Sequence, residues 1–178
     1  MKRASNMNIP SREEIIGCGS IEQEAVCKNF LGKNIDEAED LFRCASIVYQ
    51  EDLMWMGIVA FRYYVNAAIN YIRSSVSKGD SGVVNCFAGV LEFRIESDSH
   101  QDLAPIADDL ASICEYIIKN FEKFDVEIYI YGNVHERFAL LYDFFVRLKQ
   151  NNPSIEPDIE SPRDRQTTIE KLPSPSDK

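Results

Sequence analysis

The amino-acid sequence predicts an all-α protein, a single-domain bundle of about five to six helices with a disordered C-terminal tail. Apolar residues recur at steps of three and four along most of the chain, which is the spacing of one helix face. Capping sequences precede several of these runs, and glycines follow them. The 178 residues suit one domain, which we place at residues 10–150.

The two ends of the chain are predicted to lie outside this domain. Residues 1–9 lack an apolar run and are expected to be flexible. Residues 151–178 contain five of the seven prolines and no aromatic residue, whereas all 19 aromatic residues come earlier. Such a segment cannot bury enough apolar surface to offset the entropy lost on ordering, so we predict a Pro-rich disordered tail.

Capping boxes mark the first two helices. Residues 11–14 have the Ser-x-x-Glu form, in which two side chains satisfy the free amides of a first turn, and Gly17 and Gly19 end this short helix. Residues 20–23 repeat the form with Gln in the last place, and they open a second helix that runs to Leu31.

A third helix is predicted to start at Asp36, whose carboxylate can cap it and complement the helix dipole. Its apolar side is formed by Leu41, Phe42, Ala45 and Val48. We expect this helix to break around Gln50 and to be followed by a turn over residues 51–56.

The middle of the chain has the most regular helical spacing. One apolar stripe consists of Ile58, Phe61, Val65, Ala68, Ile69, Ile72 and Val76, and Gly79 ends it. The next consists of Val83, Val84, Phe87, Val90, Leu91 and Ile95. Residues 91–96 also alternate like a strand, but no neighbouring run offers a partner strand, so we predict a helix.

The last part of the domain contains two helices and one ambiguous segment. Asp102 is predicted to cap the first, with Pro105 tolerated in its first turn. Residues 124–131 alternate in the manner of a strand, but a lone strand is marginally stable, so we predict an extended linker or a short helix. Asn133 then caps a final helix whose core side is Val134, Phe138, Leu141, Phe145 and Leu148.

Charge and hydropathy limit the partners and the compartment. The chain has 29 acidic and 19 basic residues, a formal net charge of −10. Binding to phosphate backbones needs clustered Lys and Arg, so we predict no nucleic-acid partner and expect a basic protein instead. No apolar run matches a signal peptide or a membrane span, and we therefore expect a cytoplasmic protein without membrane contact.

Metal, disulfide and cofactor motifs are not found in the sequence. The cysteine number is odd and no Cys-x-x-Cys pair occurs, so we expect reduced thiols in the core: Cys18, Cys27, Cys44, Cys86 and Cys114. His100 and His135 are too few for a histidine-ligated metal site and are expected to be solvated. The Gly-Asp-Ser-Gly sequence at 79–82 resembles a protease motif, but a helix cap explains it better.

Residues 60–68, Ala-Phe-Arg-Tyr-Tyr-Val-Asn-Ala-Ala, resemble a segment of an uncharacterised family of small bacterial helical proteins. That family has Phe-Arg-Tyr-Tyr-Leu-Pro-Ala there, then an Asp-Ser-led helix and a later helix opened by a Pro, which residues 80–81 and 103–105 match in order. The resemblance covers residues 41–118 and departs at Val65-Asn66, where the proline is missing. It implies a helical fold and, because the family has no assigned activity, no site.

Arg62 is the first candidate for a binding residue. It lies in the aromatic setting Phe-Arg-Tyr-Tyr, next to the core-facing stripe and to Tyr63, and a partly buried guanidinium needs a carboxylate partner. The acidic residues considered as its partner are Asp40, Glu51, Asp52 and Glu92. We favour an internal salt bridge over a catalytic or binding role.

Aromatic residues are concentrated late in the domain and exceed what one helix face needs. Those not on the predicted core side are Tyr129, Tyr131, Tyr142 and Phe144. Tyr142 and Phe144 either form a second packing surface against residues 124–131, which contain Tyr129 and Tyr131, or the four belong to a protein-binding patch, because Tyr and Phe are common in interface cores.

Three functions remain open at this point. We favour a non-enzymatic acidic module that binds a basic protein, since its composition is similar to that of bacterial immunity proteins that neutralise basic nuclease toxins. The alternatives are a small enzyme with a cleft of carboxylates, Arg62 and a tyrosine, or a self-associating scaffold. No nucleophile–base pair has a recognisable spacing, so no catalytic residue, metal or cofactor is predicted.

Overall fold

The computed structural model of the protein describes residues 8–17, 19 and 21–151. Within these residues the protein is all-α, which confirms the predicted fold class, and no β-strand occurs there. The predicted tail lies outside the described residues except for Asn151, and so does the predicted flexible N-terminus except for Asn8 and Ile9. None of the described helices combines the length and apolar character needed to cross a lipid bilayer.

The described chain contains more helices than predicted because several are only one turn long. They are α1 Arg12–Ile16, α2 Ile21–Phe30, α3 Ile35–Trp55, α4 Ile58–Arg73, α5 Ser81–Ser97, α6 His100–Leu103, α7 Ala107–Lys119, α8 Ile128–Tyr131 and α9 Val134–Asn151. Short 3-10 turns occur at Ser75–Ser77, Ala104–Ile106 and Phe121–Phe124. The main packing contacts join α3 to α4 and α5, and α7 to α9. Helices α1 and α2 pack against each other, and they contact α4 and α3 respectively.

Helix α3 differs most from its prediction. Its N-cap is Asn34 rather than Asp36: Asn34 Oδ1 accepts a hydrogen bond from the Glu37 amide at 2.9 Å, and the Glu37 carboxylate accepts one from the Asn34 amide at 2.8 Å. The helix also continues through Gln50, so the predicted break there was wrong. It kinks instead at Ala45 (φ −156°, ψ 74°). The capping box of Asn34 and Glu37 places the start of the helix two residues before Asp36. Tertiary packing continues the helix past Gln50, where the local pattern predicted a break.

Helices α4 and α5 follow their predictions more closely. Helix α4 ends at Arg73, and Val76, which was predicted to be in the core, is 54% exposed because it lies in the following 3-10 turn. Helix α5 includes residues 91–96, which confirms helix over strand there. Asp80 caps α5, since its Oδ1 accepts a hydrogen bond from the Val83 amide at 3.0 Å, and this confirms the cap interpretation of residues 79–82.

The later boundaries are partly corrected. Ser99 caps α6, and Asp102 caps no helix, so its predicted role was wrong. Residues 124–131 contain the short helix α8, the second of the two structures predicted for this segment. Asn133 caps α9 as predicted, with its Oδ1 accepting from the Glu136 amide at 3.2 Å.

Helix α4 forms the centre of the core. Ten of its sixteen residues are buried, against α3 on one side and α1 near its start. Tyr64 is fully buried, and its hydroxyl donates to the carbonyl oxygens of Phe30 at 2.7 Å and Lys33 at 3.0 Å, which fastens the end of α2. Burial raises the pKa of Tyr64, so the phenol stays protonated and keeps both bonds.

Arg94 is the most buried charged side chain of the described residues, with 4% of its surface exposed. Its Nη2 donates to the carbonyl oxygens of Leu53 at 2.6 Å and Met56 at the end of α3, and its Nη1 donates to Asp98 at 3.2 Å. The guanidinium also lies 4.5 Å from the ring centre of Phe61 on α4. One side chain of α5 therefore satisfies the free carbonyls of α3 and contacts α4.

We expect Arg94→Met to lower the free energy of unfolding by about 3–5 kcal/mol, because the buried carbonyls of α3 and the Asp98 carboxylate would lose their donor. Urea denaturation measures this loss. Arg62→Met is the matched control: its ion pair with Asp102 is half-exposed, and the expected cost is below about 1 kcal/mol. Equal losses in the two variants would contradict the structural importance of Arg94.

We also expect Gly57→Ala to lower the melting temperature. A Cβ at this position would lie 2.3 Å from the carbonyl oxygen of Glu14, and the Gly57 amide donates to the carbonyl of Ile15 at 2.8 Å. The clash would push α1 away from the start of α4, at a cost of about 1–3 kcal/mol. Gly89→Ala, inside α5 with its nearest atom 3.8 Å away, should instead stabilise by up to about 1 kcal/mol. An unchanged melting temperature for Gly57→Ala would contradict the close α1–α4 contact.

Candidate functional site

The candidate site is a patch of three large apolar side chains on α8 that point into solvent. Ile128, Tyr129 and Ile130 are 67%, 84% and 60% exposed, and we call them the α8 patch. None of the four residues of α8 is buried. Apolar side chains normally gain about 1.5–3 kcal/mol each from burial, and these three adjacent ones do not gain it, because they form an exposed apolar patch.

The exposure of the α8 patch follows from the two chain reversals that flank it. Phe124 is fully buried at the end of the preceding 3-10 turn, and Asp125 then adopts a left-handed conformation (φ 49°) that turns the chain outwards. Gly132 ends α8 in a positive-φ conformation that favours glycine, and its amide donates to the carbonyl of Ile128 at 2.8 Å. A single helical turn between two reversals has no second turn with which to form a buried face.

Lys123 holds the base of this segment in place. Its ammonium group donates to the carbonyl oxygens of Ile72 and Ser74, both at 2.7 Å, at the C-terminal end of α4. That end of a helix carries partial negative charge, so the contact is electrostatically favourable. The Lys123 carbonyl in turn accepts from the Gly79 amide at 2.9 Å. The turn that precedes α8 is thus fixed to the core.

Acidic side chains surround the α8 patch in the sequence without cationic partners. Glu122, Asp125, Glu127 and Glu136 are exposed, and none of them forms an ion pair within the described part of the chain. Two neighbouring cations are engaged elsewhere, since Lys123 binds helix carbonyls and Arg137 binds Glu92 at 2.6 Å. Lys78 is exposed beside Gly79, whose amide donates to the Lys123 carbonyl at 2.9 Å. Glu127 also raises the pKa of the Tyr129 phenol through a hydrogen bond. The patch therefore combines an apolar centre with a rim, our name for these four carboxylates, which flank it in the sequence and form no ion pair within the described residues.

The six residues proposed from the sequence do not form one site. Tyr129 and Tyr131 share α8, but Tyr131 is half-buried against the core. Tyr63 is 8% exposed, with its ring against Tyr64 at a centroid distance of 4.9 Å, so it is a packing residue. Arg62 lies on α4, where it contacts Asp102 of α6.

The structure corrects the predicted partner of Arg62. Its Nη2 donates to Asp102 Oδ1 at 3.1 Å and its Nε to the Asp102 carbonyl at 2.6 Å, so the salt bridge exists but with none of the four acids considered. Two of those acids have other contacts: Glu92 binds Arg137, and Asp52 accepts from Asn29 at 2.7 Å. Asp102 caps no helix, and its carboxylate is the partner of Arg62 instead.

The two remaining candidates lie on α9. Tyr142 borders an open groove of about 670 Å³ between α7 and α9, near the ion pair of Lys149 with Asp108. The Phe144 ring packs edge-on against Phe145 at 5.3 Å and against His100 at 5.1 Å. Phe144 is thus part of a packing surface, although with α6 rather than with residues 124–131 as predicted.

A second polar cluster lies at the kink of α3 and also borders an open groove. Asp80 Oδ2 accepts from Ser46 Oγ at 2.7 Å and from the Tyr71 hydroxyl at 2.9 Å, while its Oδ1 accepts the α5 cap bond. Burial and the bond to Asp80 raise the pKa of Tyr71 to about 12, so its hydroxyl remains a donor. Every oxygen of this carboxylate is engaged in joining α3, α4 and α5, which is a structural role.

Thiols and metal ligands do not add a site in the described chain. Cys27 and Cys114 are buried as expected, and burial raises the pKa of Cys114, but Cys44 is exposed beside the α3 kink. Cys18 lies outside the described residues. Across residues 8–17, 19 and 21–151, no group of three or more His, Cys, Asp or Glu side chains is positioned to hold a metal ion.

Ile128 and Ile130 were not among the site residues predicted from the sequence, although they lie in the alternating segment 124–131. The available signal was length: four apolar residues between Glu127 and Gly132 are too few for a helix with a buried face. An apolar run this short, with a charged residue before it and a glycine after it, predicts a single exposed turn and not a buried helix.

The double variant Ile128→Ser/Tyr129→Ser is expected to keep the wild-type free energy of unfolding within about 0.5 kcal/mol, because neither side chain packs in the core. Phe124→Ala, four residues before Ile128 and fully buried, should lose about 3–5 kcal/mol. Chemical denaturation of the three proteins measures both values. A large loss in the double variant would mean that the α8 patch is part of the core.

Comparison of the chain with protein-family models, with curated proteins and with solved structures finds no match. The candidate site is therefore identified only from the geometry and charge of this chain.

Proposed function

We propose that this protein is a non-enzymatic binding module that docks its α8 patch onto a basic protein partner. The observation that carries the proposal is the α8 patch itself, three large apolar side chains in solvent, flanked in the sequence by four carboxylates that form no ion pair within the described residues. Tyr is enriched in the cores of protein interfaces, and a polar rim around an apolar centre is the usual arrangement of such surfaces.

The support structure of α8 favours binding with little ordering cost. Lys123 fixes the preceding turn through two carbonyl contacts at 2.7 Å, and the Gly132 amide closes the helix. A surface that is already in its bound shape loses less conformational entropy on association. The affinity would then come from burying Ile128, Tyr129 and Ile130.

The sign of the charge favours a basic partner. The net charge of −10 attracts a cationic protein at a distance, and the acids next to α8 direct it to the patch. Association should therefore be fast at low ionic strength and slower when salt screens the charges. A small cationic toxin neutralised by this protein would fit the proposal, in keeping with the immunity-type expectation.

The test is affinity capture from a lysate of the source organism, with wild-type protein, Ile128→Ser/Tyr129→Ser and Leu140→Ser as baits, followed by titration of the purified partner. Leu140 is 66% exposed on α9 and serves as the control for loss of one exposed apolar side chain elsewhere. We expect wild type and Leu140→Ser to retain a protein rich in Lys and Arg at about 50 mM salt and to release it by about 500 mM.

The double variant should bind that purified partner at least about 100-fold more weakly, since each of two anchor side chains contributes at least about 1.4 kcal/mol. Equal affinities of wild type and double variant would overturn the proposal. So would light scattering in which the wild type, but not the double variant, is a stable dimer, because the α8 patch would then serve the self-associating scaffold.

A further inference from the structure

We infer that the surface of the partner that receives the α8 patch is a groove that otherwise binds single-stranded nucleic acid. This inference rests on the proposed function and adds the chemical class of the partner. It is drawn from two features of the α8 segment, the exposed apolar side chains and the flanking carboxylates that form no ion pair within the described residues.

The α8 patch and its rim offer the same two chemical groups as a single strand. A single-stranded nucleic acid presents unstacked bases, which are flat and largely apolar, next to negatively charged phosphates. The α8 segment presents the Tyr129 ring between two isoleucine side chains, next to Glu122, Asp125 and Glu127.

The complementary surface combines cations with exposed aromatic rings. Proteins that bind single strands line a positively charged groove with aromatic side chains on which bases stack. Such a groove offers Lys and Arg to the carboxylates, aromatic faces to Ile128 and Ile130, and an Arg that can stack on the Tyr129 ring. A surface that reads duplex DNA offers contacts to phosphates and groove edges, which would satisfy the acids but leave the apolar side chains uncovered.

The shape of α8 also requires a concave partner. Consecutive residues of an α-helix point about 100° apart, so the three side chains of the α8 patch cover a convex surface. Lys123 holds the base of that projection against the C-terminal end of α4. A projection of one helical turn fits a groove better than a flat interface.

We expect the protein and a single-stranded nucleic acid to compete for the same surface of the partner. The probe is a fluorescently labelled oligothymidylate about 20 nucleotides long, bound to the purified partner and followed by anisotropy. We expect the wild-type protein to displace this probe. A saturating amount of unlabelled oligonucleotide should weaken binding of the protein to the partner by at least about 10-fold, while polyglutamate of equal charge should not.

Two charge variants distinguish the effect of the rim carboxylates on binding from the effect of the net charge. Asp125→Asn/Glu127→Gln keeps the left-handed turn, which Asn tolerates, and removes two rim charges. Asp36→Asn/Glu51→Gln removes two exposed charges from α3 that, like those of the rim, form no ion pair within the described residues, and it is the matched control. We expect the rim variant to need about 10-fold more protein to displace the probe and the control variant to resemble the wild type.

The possible results separate the inference from the proposed function. A partner that binds the protein and the probe at the same time, or that does not bind the probe at all, overturns the inference and leaves the proposed function in place. Equal effects of the two charge variants also overturn it, because the net charge would then account for displacement. Failure to obtain a basic partner that needs the α8 patch overturns the proposed function, and the inference with it.

Discussion

The guanidinium of Arg94 is the interaction on which the arrangement of the central helices depends. Helix α3 ends inside the protein, where the carbonyls of Leu53 and Met56 cannot reach water, and Arg94 of α5 satisfies both while it stacks on Phe61 of α4. Burial lowers the pKa of Arg94, and the Asp98 carboxylate offsets this cost. Because the guanidinium donates to the carbonyls of Leu53 and Met56 and to Asp98 at the same time, it ties the α3–α4 junction to α5.

The free carbonyls at the C-terminal end of α4 are likewise satisfied by a cation from a distant part of the chain. Lys123 donates to the carbonyls of Ile72 and Ser74, and this contact places the turn from which α8 projects. Arg94 at the beginning and Lys123 at the end thus make α4 the common support of the core and of the α8 patch. A site on a short helix gains rigidity from the scaffold to which its base is bonded.

Much of the fold was predictable from the sequence, whereas the candidate site was predictable only in part. The caps at Ser11 and Asn133 and the helix over residues 91–96 follow from patterns within one or two turns. Tyr129 was named from its aromatic surplus, but Ile128 and Ile130 were not, and Tyr63 proved to be buried. Periodicity predicts which side of a helix is apolar, and it does not tell whether another element covers that side.

By itself the sequence determined the all-α class, most helix positions and the excess of negative charge, because helix spacing, capping and net charge are properties of neighbouring residues or of composition. Only the tertiary structure decided that Arg62 pairs with Asp102, that Arg94 is buried and that α8 is left in solvent. Arg62 and Asp102 are forty positions apart, and Arg94 and Leu53 forty-one. Contacts over such separations depend on how whole helices pack, which no local pattern of residues encodes.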